Sequence, residues 1–266
     1  MSELDLKLKN KIIMVAASSR GIGCGIAEAV AGEGARLSLA SRSPEEIQNA
    51  ASKIHTLYGI EARAYTFDAM DPDSIENWTR STIDDLGGVD GMVVNAGGPT
   101  PGRFDSLDDD AWNQAYQLTL LSAVRMIRSV LPGFRQQRSG SILTVTSTSI
   151  KEPIDELLLS NVFRAGVLGL VKSVSRELAR EGIRINNLVP GRIDTERVRT
   201  IDRLNAEKIG ITVEQRRAEE EAAIPVGRYG TIQELGAAAA FLLSDAAGYI
   251  TGTTLVVDGG KLRTVQ

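Results

Sequence analysis

Hydrophobic and polar positions along the chain follow two alternating rhythms. Short, nearly continuous apolar runs bounded by turn residues recur throughout, and between them lie longer stretches in which apolar residues return every three or four positions. The first rhythm suits strands buried on both faces and the second suits amphipathic helices. Strands are expected at residues 12–16, 36–40, 62–66, 91–94, 141–145, 184–188 and 254–257, and helices at 21–32, 44–57, 73–86, 109–131, 157–181 and 232–243. This alternation predicts an α/β fold, a Rossmann-type doubly wound parallel sheet of about seven strands with helices on both faces. No Pro/Gly/Ser-rich linker and no internal repeat divides residues 1–266, so one domain is expected. The charged stretch 196–223 breaks the βα rhythm and reads either as a lid or arm over a site or as a solvated surface helix.

Composition narrows the function classes. A 42% hydrophobic content supports a sizeable core, and a net charge of −4 is spread in mixed-sign stretches such as Glu196-Arg197-Val198-Arg199. No basic stripe forms, so the expected partner is a small molecule and not nucleic acid. Cys24 and His55 are the only residues of their kinds, which excludes an intramolecular disulfide and a Cys/His zinc site and leaves no metal expected. Residues 1–10 alternate Leu with Lys and Asp and lack an apolar signal core, and no later run reaches membrane-span length. The expected location is cytoplasmic.

The clearest motif follows the first strand: Ala16-Ala17-Ser18-Ser19-Arg20-Gly21-Ile22-Gly23 opens directly into a helix. Glycines there let a backbone approach a pyrophosphate, and the helix N-terminus offers free N–H groups. Ala17, Ser19, Arg20, Gly21, Ile22 and Gly23 are therefore candidate cofactor-binding residues. After the second strand, where such folds use an acid for a ribose diol or an Arg for a 2′-phosphate, stand Ser41 and Arg42. With Arg20 as a second cation, this favours NADP(H) over NAD(H).

Several further motifs in a fixed order give the chain a specific likeness. Asp68-Ala69 follows the third strand, Asn95-Ala96-Gly97 the fourth, and Ser147 the fifth; Pro190-Gly191-Arg192-Ile193-Asp194-Thr195 follows the sixth, and Asp258-Gly259-Gly260 ends the series. From about residue 10 to residue 260 the chain resembles the short-chain dehydrogenases/reductases, and within them the 3-oxoacyl-carrier-protein reductases. The resemblance implies that Asp68 and Ala69 touch adenine and that Asn95, Gly97, Pro190 and Gly191 line the cofactor site. It also implies that Ile193 and Thr195 meet the nicotinamide carboxamide and that Ser147 bonds a substrate carbonyl. Plainer roles exist for some of these: Asn95 could brace strands, Pro190-Gly191 could be a turn, and Ser147 could cap a strand end. The resemblance further implies a homo-oligomer, commonly a tetramer, built through helices 109–131 and 157–181 on one axis and helix 232–243 with the last strand on another.

The departures are as informative. The family places a Tyr thirteen residues after the catalytic Ser and a Lys four residues beyond it; the chain has Ser160 and Arg164 at those places, and Thr119 where the family's helical Asn would stand. Reducing a carbonyl leaves an alkoxide that needs a proton, and a serine hydroxyl is a far weaker acid than a phenol next to an ammonium. Arg164 keeps the cation but cannot shuttle protons near neutrality. The expected activity is an NADP(H)-dependent interconversion of a carbonyl and an alcohol, with Ser147 and Arg164 polarising the oxygen, Ser160 anchoring a water, and the water giving the proton. The alternative is a catalytically silent NADP(H)-binding sensor or partner subunit.

Overall fold

The structure, a computed structural model, describes residues 5–264; the reading of residues 1–10 as lacking a signal core therefore lies in part outside the described residues. Its frame is a parallel sheet of seven strands: β1 Ile12–Ala16, β2 Arg36–Ser41, β3 Ala62–Thr66, β4 Gly91–Val94, β5 Gly140–Val145, β6 Ile183–Pro190 and β7 Thr254–Val257, ordered β3-β2-β1-β4-β5-β6-β7. Each lies within two residues of its sequence-based position. β1 pairs with both β2 and β4, through Ile13↔Leu37 and Ile13↔Gly91, so the chain reverses its winding direction there. Ligands of open α/β sheets bind beyond the carboxyl ends of the strands at such a switch point.

Strand alternation divides the core in two. Ile13 and Val15 face one layer, where α1 (Gly21–Gly32), α2 (Pro44–Tyr58) and α9 (Ile232–Leu243) contribute Ile26, Ile47 and Leu235. Met14 and Ala16 face the other, where α3 (Pro72–Leu86), α5 (Ser122–Gln137) and α6 (Leu158–Leu178) contribute Trp78, Met126 and Val167. Helix starts follow local chemistry: Ser43 accepts a bond from Glu46 N before Pro44, and Asp71 accepts from Asp73 N before Pro72. Gly59 and Gly87, both left-handed, end those helices.

Two expectations change. The single helix expected at 109–131 is three pieces: α4 (Asp109–Ala115), a π-helical turn over Tyr116–Leu121, and α5, which runs through Pro132 to Gln137. Tertiary burial overrides the proline: Phe134 is fully buried, and its ring fills the space in which a Cβ on Gly140 would stand. Segment 196–223 forms α7 (Glu196–Ile209) and α8 (Val213–Ala222), capped by Thr195 and Thr212. They are tied by buried ion pairs, which a freely solvated surface helix would not have. Arg192 meets Asp202 at 3.0 Å and Glu220 at 2.7 Å, Lys261 meets Glu220 at 2.7 Å, and Arg216 closes on Glu220 as well. Tyr229 Oη donates to Asp202 Oδ2 at 2.8 Å.

Candidate active site

The cleft begins at the carboxyl end of β1. Ser18 is fully buried and locks the turn: its hydroxyl donates to Val15 O at 2.8 Å and accepts from Ala40 N at 3.2 Å. Ala17 and Gly21 have φ of 50° and 62°, which a glycine at the second position adopts without cost. A Cβ on Gly23 would overlap Ala17 O, so the turn and α1 close on each other only through glycine. α1 has no side-chain cap and no acid in its first turn, leaving its N–H groups free for an anion. This geometry fits a dinucleotide pyrophosphate at Ala17–Gly23. Asn95 Nδ2 donates to Ala16 O at 3.3 Å, tying the end of β4 to the turn and giving it the bracing role as well as a place in the cleft.

At the adenosine end, Ser41 is buried with its hydroxyl on Ser43 O at 3.3 Å, and Arg42 is exposed. Arg20 lies 3.9 Å from Glu46 and 4.0 Å from Glu196, long pairs between mostly exposed groups that are weak in water. Ser19 also bonds Glu46, at 3.2 Å. Asp68 accepts from Met70 N at 3.0 Å while the next residue, Ala69, is buried. Gly97 is exposed, three residues beyond the carboxyl end of β4. On the far side, Gly191 N donates to Val257 O at 2.9 Å, and Pro190 ends β6. Ile193 is buried with its N–H turned to Gly191 O at 3.1 Å, and Thr195 caps α7 by accepting from Val198 N at 3.3 Å.

The helical step from Ser160 to Arg164 brings those two side chains together, as their spacing predicts. Arg164 Nε donates to Ser160 Oγ at 3.1 Å and Nη1 donates to Val145 O at 3.1 Å, so a half-buried guanidinium stands at the carboxyl end of β5 with only neutral partners. Burial, with the nearby Arg197 second, pushes its pKa down to about 10. It remains cationic at neutrality. Ser147 leaves β5 in an extended conformation and accepts from Ser149 N at 3.2 Å. Thr119 lies in the π-helical turn, a distortion common at functional sites, and its buried Oγ1 has no hydrogen-bond partner among the described residues. It lines a cavity of about 20 Å³ together with Asn95, Thr146 and Arg164, large enough for one water.

Tyr116, one turn earlier, packs its ring 6.1 Å from that of Phe163 and is 38% exposed. Glu156, in the loop before α6, joins Lys208 of α7 at 3.0 Å and Arg103 at 3.7 Å. One residue escapes sequence reading: Arg197, whose Nη2 lies 2.5 Å from where a Cβ on Gly98 would stand. In the sequence it is one charge in a mixed-sign helix, with no local signal to separate it from its neighbours.

Comparison with known proteins agrees with this geometry. A family model described as Enoyl-(Acyl carrier protein) reductase matches residues 16–261. The chain is 33% identical over 257 residues to the 3-oxoacyl-[acyl-carrier-protein] reductase FabG of Salmonella typhimurium, covering 96% of this chain and 98% of that one. The L-sorbose reductase of Gluconobacter frateurii, solved with NADPH and L-sorbose, superposes with a TM-score of 0.94 at 27% identity over 98% of this chain and all of that one. A single-residue variant of the actinorhodin polyketide ketoreductase, solved with NADPH, does so with a TM-score of 0.90 at 27% identity over 95% and 97% of the two chains. With the sheet order and the glycine turn in place and a family model and relative matching nearly the whole chain, the chain belongs to the short-chain dehydrogenase/reductase family.

Proposed function

We propose that the protein is an NADP(H)-dependent oxidoreductase that interconverts a carbonyl and an alcohol without a tyrosine acid. The observation that carries this reading is the half-buried, cationic Arg164 held against Ser160 and Val145 at the carboxyl edge of the sheet. NADPH supplies the hydride when bound; Arg20 and Arg42 are the residues that would take its 2′-phosphate, and the start of α1 its pyrophosphate. As the hydride reaches the carbonyl carbon, the C=O electron pair moves to oxygen. Arg164 and Ser147 stabilise that developing charge, and the oxygen takes its proton from water held by Ser160 or beside Thr119. Preorganised donors of this kind are worth most in a site shielded from water.

One observation favours a second reading, a silent NADP(H)-binding sensor or partner subunit: the hydroxyl next to the cation is a serine that accepts a bond from Arg164 Nε. Substrate-dependent loss of NADPH absorbance over a panel of ketones, aldehydes and alcohols decides between them. Tight NADPH binding without turnover on any of the panel sinks the enzyme reading. The double change Ser160→Tyr and Arg164→Lys sharpens the choice, since it lowers native turnover in an enzyme that relies on water and Arg164 and creates activity from none in a silent binder.

The proposed organisation is one dinucleotide-binding domain with residues 196–223 as an arm over the cleft, in a cytoplasmic homotetramer. In support, no helix among the described residues is long and apolar enough to cross a membrane, the edge strand β7 is apolar and only half-buried, and Val162 on α6 is 44% exposed. A monomer by sedimentation at micromolar concentration contradicts the assembly.

A further inference from the structure

Arg164 and Arg197 face one cleft without a carboxylate to neutralise them. Arg164 spends two of its donors on neutral oxygens, Ser160 Oγ and Val145 O. Arg197, in the first turn of α7, lays its guanidinium over Gly98 and forms no hydrogen bond or ion pair with any described residue. The basic residues around it behave otherwise: Arg192, Arg199, Lys208, Arg216 and Arg217 each meet an Asp or Glu. Arg203, also without an acid, points to solvent. Burial is the larger cause of the lowered pKa of Arg164, and the neighbouring Arg197 adds a second, repulsive contribution. A ligand anion between them removes that cost.

The place of the pair points to the substrate side. Arg164 sits at the end of β5 and Gly98 follows β4, whereas the pyrophosphate has its own site at the start of α1, beyond β1. A guanidinium fork matches a carboxylate through two parallel hydrogen bonds. We propose that the carbonyl substrate is an oxo acid whose free carboxylate is bound by Arg197, while its carbonyl oxygen lies toward Arg164 and Ser147. This deepens, and rests on, the reading of the cleft as a carbonyl-reducing site. Reaction at the keto carbon is unchanged: hydride adds to carbon, oxygen takes a proton from water, and the carboxylate is neither made nor broken.

The same guanidinium could instead read a cofactor phosphate, so the test separates the two sources. Protein saturated with NADP+ is titrated calorimetrically with a series of straight-chain 3-oxo acids and with their methyl esters. The acids are expected to bind at least about tenfold more tightly than the esters. Arg197→Met, a change at an exposed position, should bring acid and ester within about twofold while moving NADP+ affinity less than about twofold, and Arg197→Lys should restore part of the difference. Equal or undetectable binding of acid and ester across the series overturns the inference. So does an Arg197→Met protein that loses NADP+ affinity by the factor it loses for the acid, which would assign the guanidinium to a phosphate. Turnover is read separately: reduction of the esters without preference for the acids refutes the oxo acid and leaves the reductase reading standing. Acid-selective binding with no turnover of either does the reverse.

Discussion

Replacing Arg164 by Met tests whether a half-buried cation is held for chemistry and not for the fold. Burial, with Arg197 second, drives the guanidinium down to about 10, which corresponds to about 3 kcal/mol working against the charged form in the native state. The sign follows from the folded pKa lying below the unfolded one: the penalty is present in full at neutral pH and is relieved only as pH rises through about 10. Against it stand the hydrogen bonds from the charged guanidinium to Ser160 and Val145, worth about 1.5 kcal/mol or more each. Methionine fills similar length without a charge, so the two effects nearly cancel and the variant is expected to keep its stability to within about 1 kcal/mol, a shift in melting temperature of no more than about 2–4 °C for a chain of this size. Turnover should fall by about 10²–10³, the usual cost of deleting one preorganised donor at a developing oxyanion. Thermal unfolding and NADPH-coupled kinetics on the same preparation read both quantities. A variant that is less stable by more than about 1 kcal/mol, or that keeps its turnover, refutes the reasoning.

Other predictions address the cofactor and the arm. NADPH should bind at least about tenfold more tightly than NADH, through charge-assisted bonds from Arg20 and Arg42 to the 2′-phosphate, and the double change Arg20→Ala and Arg42→Ala should erase most of that preference in a fluorescence titration at moderate salt. Gly23→Ala should cost at least about 2 kcal/mol of stability or abolish NADPH binding, because the new Cβ would collide with Ala17 O; wild-type melting and binding would contradict this. Burial raises the Glu220 pKa, but bonds from Arg192 and Lys261 outweigh it and hold the carboxyl at about 2. Its contribution is therefore present above the ordinary carboxylate pKa and is lost as pH falls from about 4.5 toward 2. Glu220→Gln should cost about 2 kcal/mol at pH 7 and flatten the acid limb of a melting-temperature profile in that window, and an unchanged acid limb counts against the network.

The sequence by itself determined the sheet. Every strand lies close to its sequence-based position because a strand buried on both faces needs a continuous apolar run, and Ile13 with Val15 and Met14 with Ala16 sort into separate core layers by alternation alone. The glycine turn and the pairing of Ser160 with Arg164 were legible for the same reason, since both depend on residues near in sequence. Tertiary structure decided what depends on distant residues. Phe134 drew α5 past Pro132 by filling the space beside Gly140, and the π-helical turn that leaves Thr119 Oγ1 unpaired has no signature in a run of apolar residues. Ion pairs spanning from Arg192 to Lys261 fixed α7 and α8, whose charges along the sequence left a lid or arm and a solvated surface helix equally open. Arg197 is the sharpest case, one arginine among several in α7 and α8, separated from the rest only when folding pairs most of its neighbours with acids and turns it toward Gly98 and Arg164. Charge pairing is decided by distance in space, and a sequence records only distance along the chain.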